Sequence, residues 1–211
     1  ACAVPCWWGM VPGKTTYAQV LVANEGLVQE FSPSQNGSSA PALRMIYQND
    51  EIPFRSDTYF EFNNDIVQYI HVDSQRTSEI FALKPLYDRF GLSESSNINV
   101  YSGLNGAKQF FEVTVLFEYK SKGVAFLYSA QGTAATNGDI TACFDNALDP
   151  QIFLWTAENW QSYTRALYYE YRVFKPMEDV SNTNTQVFFK TIVGKGSTCI
   201  NISPLPEWPS N

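Results

Sequence analysis

Residues 109–130 read QFFEVTVLFEYKSKGVAFLYSA, with apolar and polar side chains alternating on either side of Lys120-Ser121-Lys122-Gly123. Alternation with a period of two sends successive side chains to opposite faces of a strand, and a Gly-ended polar break turns the chain back. This stretch therefore predicts a β-hairpin. A second one is predicted over residues 56–72, SDTYFEFNNDIVQYIHV, about the turn Asn63-Asn64-Asp65.

Before each hairpin lies a helical pattern. Near the start, Thr15 or Thr16 can cap a helix, with Gln19 three residues after Thr16 as in a capping box. Val20, Leu21 and Val22 supply its apolar face, and Gly26 ends it after about ten residues. The second pattern is RTSEIFALKPLYDRFG, residues 76–91, with Thr77 or Ser78 as cap, an apolar stripe through Leu83, Leu86 and Phe90, and Gly91 as the stop. Pro85 splits it into two turns. Between these elements, residues 31–42 are Ser-, Pro- and Gly-rich and read as a surface loop, and a polar loop precedes residue 109. Cap and hairpin turn are separated by roughly 45 residues in both halves, which suggests internal duplication.

The remainder reads as a strand (PQIFLWTA, residues 150–157), a helix (ENWQSYTRALYYEYRVF, residues 158–174) and a second helix capped by Ser or Asn and stopped at Gly194. A Pro-broken extended tail closes the chain. The expected fold class is thus α+β: two helix–hairpin units, residues 1–75 and 76–135, form an antiparallel sheet covered by helices. A strand and helix extension, residues 136–211, packs on the same single core.

With 211 residues the chain can bury about 70% of its unfolded surface, so the core needs no metal to exist. Charged residues are only 17%, and the net charge is −7 with no basic run. Attraction to nucleic acid or to an anionic membrane is not expected. No run of about 18 apolar residues is present, so no transmembrane segment is expected.

Cys2, Cys6, Cys143 and Cys199 form no CxxC pair, and His71 is the only imidazole available to complete a zinc site with them. Disulfides in an oxidising compartment are the expectation, with the pairing open among three possibilities. Cys143 and Cys199 flank the C-terminal extension, and at least one bridge between distant cysteines is expected. The chain begins at Ala1, as after removal of a signal peptide. Ala1-Cys2 also fits a bacterial lipobox, so a lipid-anchored precursor is one form it can take.

Catalytic and cofactor signatures are missing. Gly13-Lys14-Thr15 ends like a phosphate-binding loop, but the first glycine of that motif falls on Trp8, and Pro12 removes an amide from the cradle. Pro12-Gly13 is instead a turn before a helix cap, Lys14 faces solvent, and Cys6-Trp7-Trp8 is a buried anchor. His71 lies between the structural residues Ile70 and Val72 and lacks a nucleophile motif. Asp139, Asp145 and Asp149 read as solvated loop acids. No enzyme, cofactor or metal site is expected. A binding surface built on Trp155, Trp160 and Tyr163 is expected instead.

The opening PCWWGMVPGKTTYAQVL resembles a family of uncharacterised secreted proteins and lipoproteins of Chloroflexota bacteria, which begin with Pro-Cys-Trp, a Pro-Gly turn and a Thr-Thr cap. The closing STCINISPLPEWP is similar to that family's Cys-, Pro- and Trp-containing tail. The capped helix followed by a hairpin resembles the small outer-membrane lipoprotein of the β-barrel assembly machinery, and tandem copies are similar to the β-lactamase inhibitor protein. These resemblances imply a non-enzymatic extracellular or envelope protein that binds a protein partner or assembles with itself. The alternative is a glycan or small-molecule binder with an aromatic groove.

Overall fold

The computed structural model describes residues 6–25, 28–31, 42–49, 54–75, 82–105, 108–145, 149–156, 158 and 173–203. The first helix, α1 (Tyr17–Ala23), starts as a capping box: the Gln19 amide donates to Thr16 Oγ1 at 3.2 Å, and the Thr16 amide donates to Gln19 Oε1 at 2.9 Å. Asn24 ends it, its Nδ2 donating to the Val20 carbonyl at 2.8 Å. Four strands follow, β1 (Val28–Phe31), β2 (Ala42–Asn49), β3 (Phe54–Asn63) and β4 (Ile66–Gln75). The tight turn between the last two holds Asn64 and Asp65 at φ of 48° and 67°. Asn and Asp tolerate that left-handed region, and two such residues match the twist of a hairpin.

Next come α2 (Leu83–Phe90), β5 (Ser95–Asn105) and β6 (Lys108–Tyr119), a 3-10 turn at Lys120–Lys122, then β7 (Val124–Ala134), β8 (Ile140–Asp145) and β9 (Gln151–Trp155). The described chain ends with β10 (Lys175–Pro176), α3 (Met177–Val180), α4 (Thr185–Lys195) and β11 (Ser197–Ile202). Asn184 caps α4, its Oδ1 accepting from the Val187 amide at 3.0 Å. Gly196 stops that helix at φ 79°, so Gly194 lies inside it instead of ending it.

This is not the expected two helix–hairpin units with helices over a sheet. The described residues form mostly antiparallel sheet, eleven strands in all, with a few short helices. Two causes are local. Residues 95–105, expected as loop, form β5, because Ser96, Ile98 and Val100 alternate into the core while Asn97 and Tyr101 point the other way. α2 starts only at Leu83, with no side-chain cap at Ala82. The cap expected at Thr77 or Ser78 lies outside the described residues, as does the bulk of the helix expected over residues 158–174.

The chain divides into two units that interleave in sequence. Unit 1 comprises Ala1–Thr77, Tyr119–Phe126 and Gln151–Leu167; unit 2 comprises Ser78–Glu118, Leu127–Pro150 and Tyr168–Asn211. In unit 1 the strands run in the order β1-β2-β3-β4-β9, all antiparallel. One face carries the buried Leu43, Met45, Phe60, Ile70, Val72, Ile152 and Leu154. The opposite face carries Arg44, Asp57, Tyr59, His71 and Phe153, brought side by side by the register.

In unit 2, β6 lies between β5 and β7, β10 lies outside β5, β8 pairs with the end of β7, and β11 pairs with β8. α2 packs against α4, and the core is aromatic. The Phe117 ring stands 4.7 Å from Phe189 and 5.4 Å from Phe188, while Tyr87 meets Phe189 at 5.5 Å and Phe144 meets Phe188 at 5.7 Å. Each such pair adds about 0.5–1.5 kcal/mol beyond area burial. Cys143 and Cys199 stand opposite each other on β8 and β11 and are joined by a disulfide across 56 residues of sequence. Cys6 is disulfide-bonded too, to a partner outside the described residues.

Two stability measurements follow. Removing the Cys143–Cys199 bridge by replacing both with Ser should lower stability by about 4 kcal/mol, from loop entropy alone. Trp7 is buried at 7% exposure while Trp8, at φ 51°, is 54% exposed, so only half of the expected Trp anchor is buried. In denaturant melts Trp7→Ala should cost about 3–5 kcal/mol and Trp8→Ala about 1 kcal/mol or less. Equal losses would contradict this assignment.

Candidate functional site

The opening segment is closed to phosphate by its own hydrogen bonds. The Gly13 amide donates to the Val67 carbonyl at 2.7 Å, those of Lys14 and Thr15 to the Val11 carbonyl at 3.1 and 3.0 Å, and that of Tyr17 to the Asp65 carbonyl at 2.8 Å. With Thr16 and Gln19 committed to each other, the amides that a phosphate cradle would aim at an anion are spent. Gly13 is there for fit. Its φ is 77°, and a Cβ would come within 2.5 Å of Thr156 Cγ2. Lys14 is exposed.

Chemistry gathers more densely on the polar face of unit 1. Arg44 Nε donates to Asp57 Oδ1 at 2.7 Å, and its Nη2 pairs with the other carboxylate oxygen. The guanidinium lies 5.5 Å from the centre of the Tyr59 ring. His71 sits between two rings, 4.7 Å from Phe153 at an interplanar angle of 11° and 5.7 Å from Tyr59. Ile70 and Val72 point into the core on the other face, in keeping with their structural reading. Burial pushes the His71 imidazole down to about 4, against smaller opposing pulls from the Gln151 side chain and the Asp57 charge. Burial likewise raises Glu61, and burial with the Asp57 charge raises Tyr59.

Such an imidazole is neutral at pH 7 and a weak base. The aliphatic hydroxyls of Ser56 and Thr58 on β3 face the opposite side of the sheet, and the hydroxyl-bearing ring on the His71 face is that of Tyr59. His71 Nε2 and Gln151 Oε1 are both buried, and neither completes a hydrogen bond of good geometry, the Gln151 side chain lying near enough only to oppose the fall of the imidazole. Buried polar atoms of that kind ask for an explanation, a small polar ligand or a water among them.

A different surface forms at the free end of the β5–β6 hairpin in unit 2. Tyr101 and Phe110, on one face of the hairpin, are 42% and 37% exposed, and Leu104, on the other face of β5, is 71% exposed. Phe110 lies over Gly103, its register partner, so closely that a Cβ there would meet the ring at 2.7 Å. Tyr101 tilts against the same ring at 5.8 Å. Exposed apolar side chains grouped this way mark contact surfaces.

The residues expected to form a binding surface divide differently. Trp155 is fully buried on β9, at 0% exposure, and offers no surface: it lies on the His71 and Phe153 face beside Tyr69, and β9 is buried on both faces. Trp160 and Tyr163 lie outside the described residues. Asp139 is held in a turn, accepting from Asn137 Nδ2 at 2.7 Å. Among the described residues no group of His, Cys, Asp and Glu is arranged to hold a metal ion, and no helix is long and apolar enough to cross a membrane. The hairpin surface was missed because aromatic residues on a strand read as core. The clue was the uncharged run SSNINVYSGLN.

The low-lying imidazole makes stability depend on pH. Its folded value is below the unfolded one of about 6.5, so the unfolded chain binds the proton first. The contribution is complete above that value and is lost as pH falls toward 4, roughly 3 kcal/mol in all. His71→Phe keeps a stacked ring without a titrating group, and its stability should fall less than that of the parent between those pH values. Parallel acid curves for the two proteins would refute the assignment. Compared with protein-family models, curated proteins and solved structures, the chain matches none.

Proposed function

We propose that this is a non-enzymatic extracellular or cell-envelope protein that works by binding, with a protein partner or a second copy as its target. The observation that carries this reading is the apolar end of the β5–β6 hairpin, where Tyr101, Leu104 and Phe110 meet solvent. Aromatic side chains of this kind anchor protein interfaces because they bury large area with few rotatable bonds. The Cys143–Cys199 bridge and the bonded Cys6 support an oxidising compartment. The Chloroflexota-like opening and tail point to the same address, a secreted or lipid-anchored form.

The neutral, sandwiched His71 supports a role without catalysis, since neither a strong base nor a paired nucleophile stands on its face. One observation favours a second reading, a glycan or small-molecule binder. His71 is held between the flat rings of Tyr59 and Phe153, and its Nε2 completes no hydrogen bond of good geometry, a combination that sugar sites use.

The double variant Tyr101→Ser with Phe110→Ser separates the two. It should melt within about 1 kcal/mol of the parent, as surface changes do. Immobilised parent protein should retain a defined envelope or extracellular protein that the variant releases, with no retention on a glycan array. Retention of a sugar that is lost in His71→Ala would replace the first reading by the second. Free thiols at all four cysteines in protein isolated from its source would refute the compartment.

A further inference from the structure

β8 and β11 carry the Cys143–Cys199 bridge on the face turned away from the core. Inward along the pair stand Ala142, Phe144, Ile200 and Ile202, each 0% exposed, and Phe144 meets the Phe188 ring at 5.7 Å. Outward the alternation puts Thr141, Cys143 and Asp145 on β8 and Asn201, Cys199 and Ser197 on β11. Both cysteines are exposed. The outward side chains flanking them are short, and on one side Thr141 Oγ1 donates to Asn201 Oδ1 at 2.7 Å. The ladder between the two strands runs from Ser197–Asp145 to Ile202–Ile140, whereas β7 pairs with β8 only at Ile140, Thr141 and Ala142. The bridge therefore lies one residue past the hold of β7, over a ladder and a core face that meet without it.

We propose that the Cys143–Cys199 bridge is a thiol–disulfide exchange site, opened by an external dithiol and closed again by the oxidised form of that dithiol while the protein stays folded. The inference is independent of the binding reading above. Buried structural bridges resist exchange and exposed ones are the labile class, because a thiolate must reach a sulfur to attack it. Here it arrives across short polar side chains. The incoming thiolate bonds to one cysteine sulfur, the S–S bond breaks, and the other cysteine leaves as a thiolate that takes a proton from water. The second thiol of the reductant, deprotonated, attacks the mixed disulfide and frees the first cysteine, which is protonated in turn. Two electrons pass to the protein, and the dithiol becomes a disulfide. The register selects a dithiol over a monothiol. Cys143 and Cys199 are direct partners, so the freed thiolate stays beside the mixed disulfide at high effective concentration and closes back on it. Only a second thiol tethered to the first competes with that return. With the bridge open, the ladder and its buried face keep β11 in place. The loosening falls on residues 143–145 and their partners 197–199, which β7 does not back.

The oxidised full chain, without denaturant, is incubated with graded dithiothreitol or with glutathione at equal thiol concentration, then trapped with N-ethylmaleimide. Mass mapping should find Cys143 and Cys199 labelled at dithiothreitol concentrations that leave the near-ultraviolet circular dichroism unchanged. Glutathione should label them at least about tenfold less. Amide exchange at residues 143–145 and 197–199 should quicken by about tenfold or more, with Phe188 and Phe189 unchanged. Cys143→Ser combined with Cys199→Ser should fold, show that faster exchange from the start and give no response to dithiothreitol there, which separates this bridge from the bond at Cys6. Labelling that appears only as the chain unfolds would overturn the proposal, as would equal opening by glutathione or a double variant that cannot fold. The same exchange response in parent and double variant would assign the effect to Cys6 and overturn it too.

Discussion

Backbone hydrogen-bond accounting governs this molecule. A buried amide or carbonyl without a partner costs as much as a lost hydrogen bond, and a sheet-rich chain has to place nearly all of them. Along the opening segment they are spent on the β3–β4 turn and the start of β4, and for that reason a phrase that looks like a phosphate loop has nothing left to offer an anion. At the C-terminal margin they are spent on Asn182 and Val180, closing β11. On β5, β10 takes up the outer groups at Asn97 and Ile98.

Where local rules and the sheet agreed, the fold was legible. The two long hairpins could be read because their apolar residues alternate without interruption and their turns carry residues suited to reversal, Asn64-Asp65 in one and Gly123 in the other. The caps at Thr16 and Asn184 were likewise written in side chains that satisfy helix amides. The fold class was not legible. β5 and β8 carry Ser, Asn, Thr and Cys at outward positions, which resemble loop composition unless the alternating Ile98, Val100, Ile140, Ala142 and Phe144 are given more weight. Gly194 misled for a related reason. A glycine at the end of an apolar pattern reads as a stop, but the left-handed φ is taken by Gly196, two residues on.

The site was harder still to see. That Ile70 and Val72 are core was evident from the strand pattern, but the partners of His71 depend on register. Phe153 reaches it only because β9 pairs with β4 residue for residue, and 82 positions separate the two rings in sequence. No local rule brings them together. Trp155 shows the opposite hazard: a tryptophan near a helical, aromatic stretch suggests a platform, yet it sits on a strand buried on both faces. Exposure of an aromatic ring is a property of the sheet's extent, and Tyr101 and Phe110 are exposed because the hairpin runs past the core that covers Val113 and Val115.

Core packing and apolar exposure in unit 2 therefore draw on separate groups. The cluster of Phe117, Phe188, Phe189, Tyr87 and Phe144 and the Cys143–Cys199 bridge hold α4 and β11 in place. Each buried ring there is worth several kcal/mol on truncation. The end of the β5–β6 hairpin contributes to that cluster through none of its exposed residues, and the Tyr101–Phe110 contact is one half-exposed pair worth about 1 kcal/mol. A surface that is cheap to the fold can keep its apolar residues only at a cost in solubility, because exposed rings and an unprotected edge invite aggregation. A strand of eleven uncharged residues on a chain of net charge −7 offsets that cost with long-range repulsion between copies.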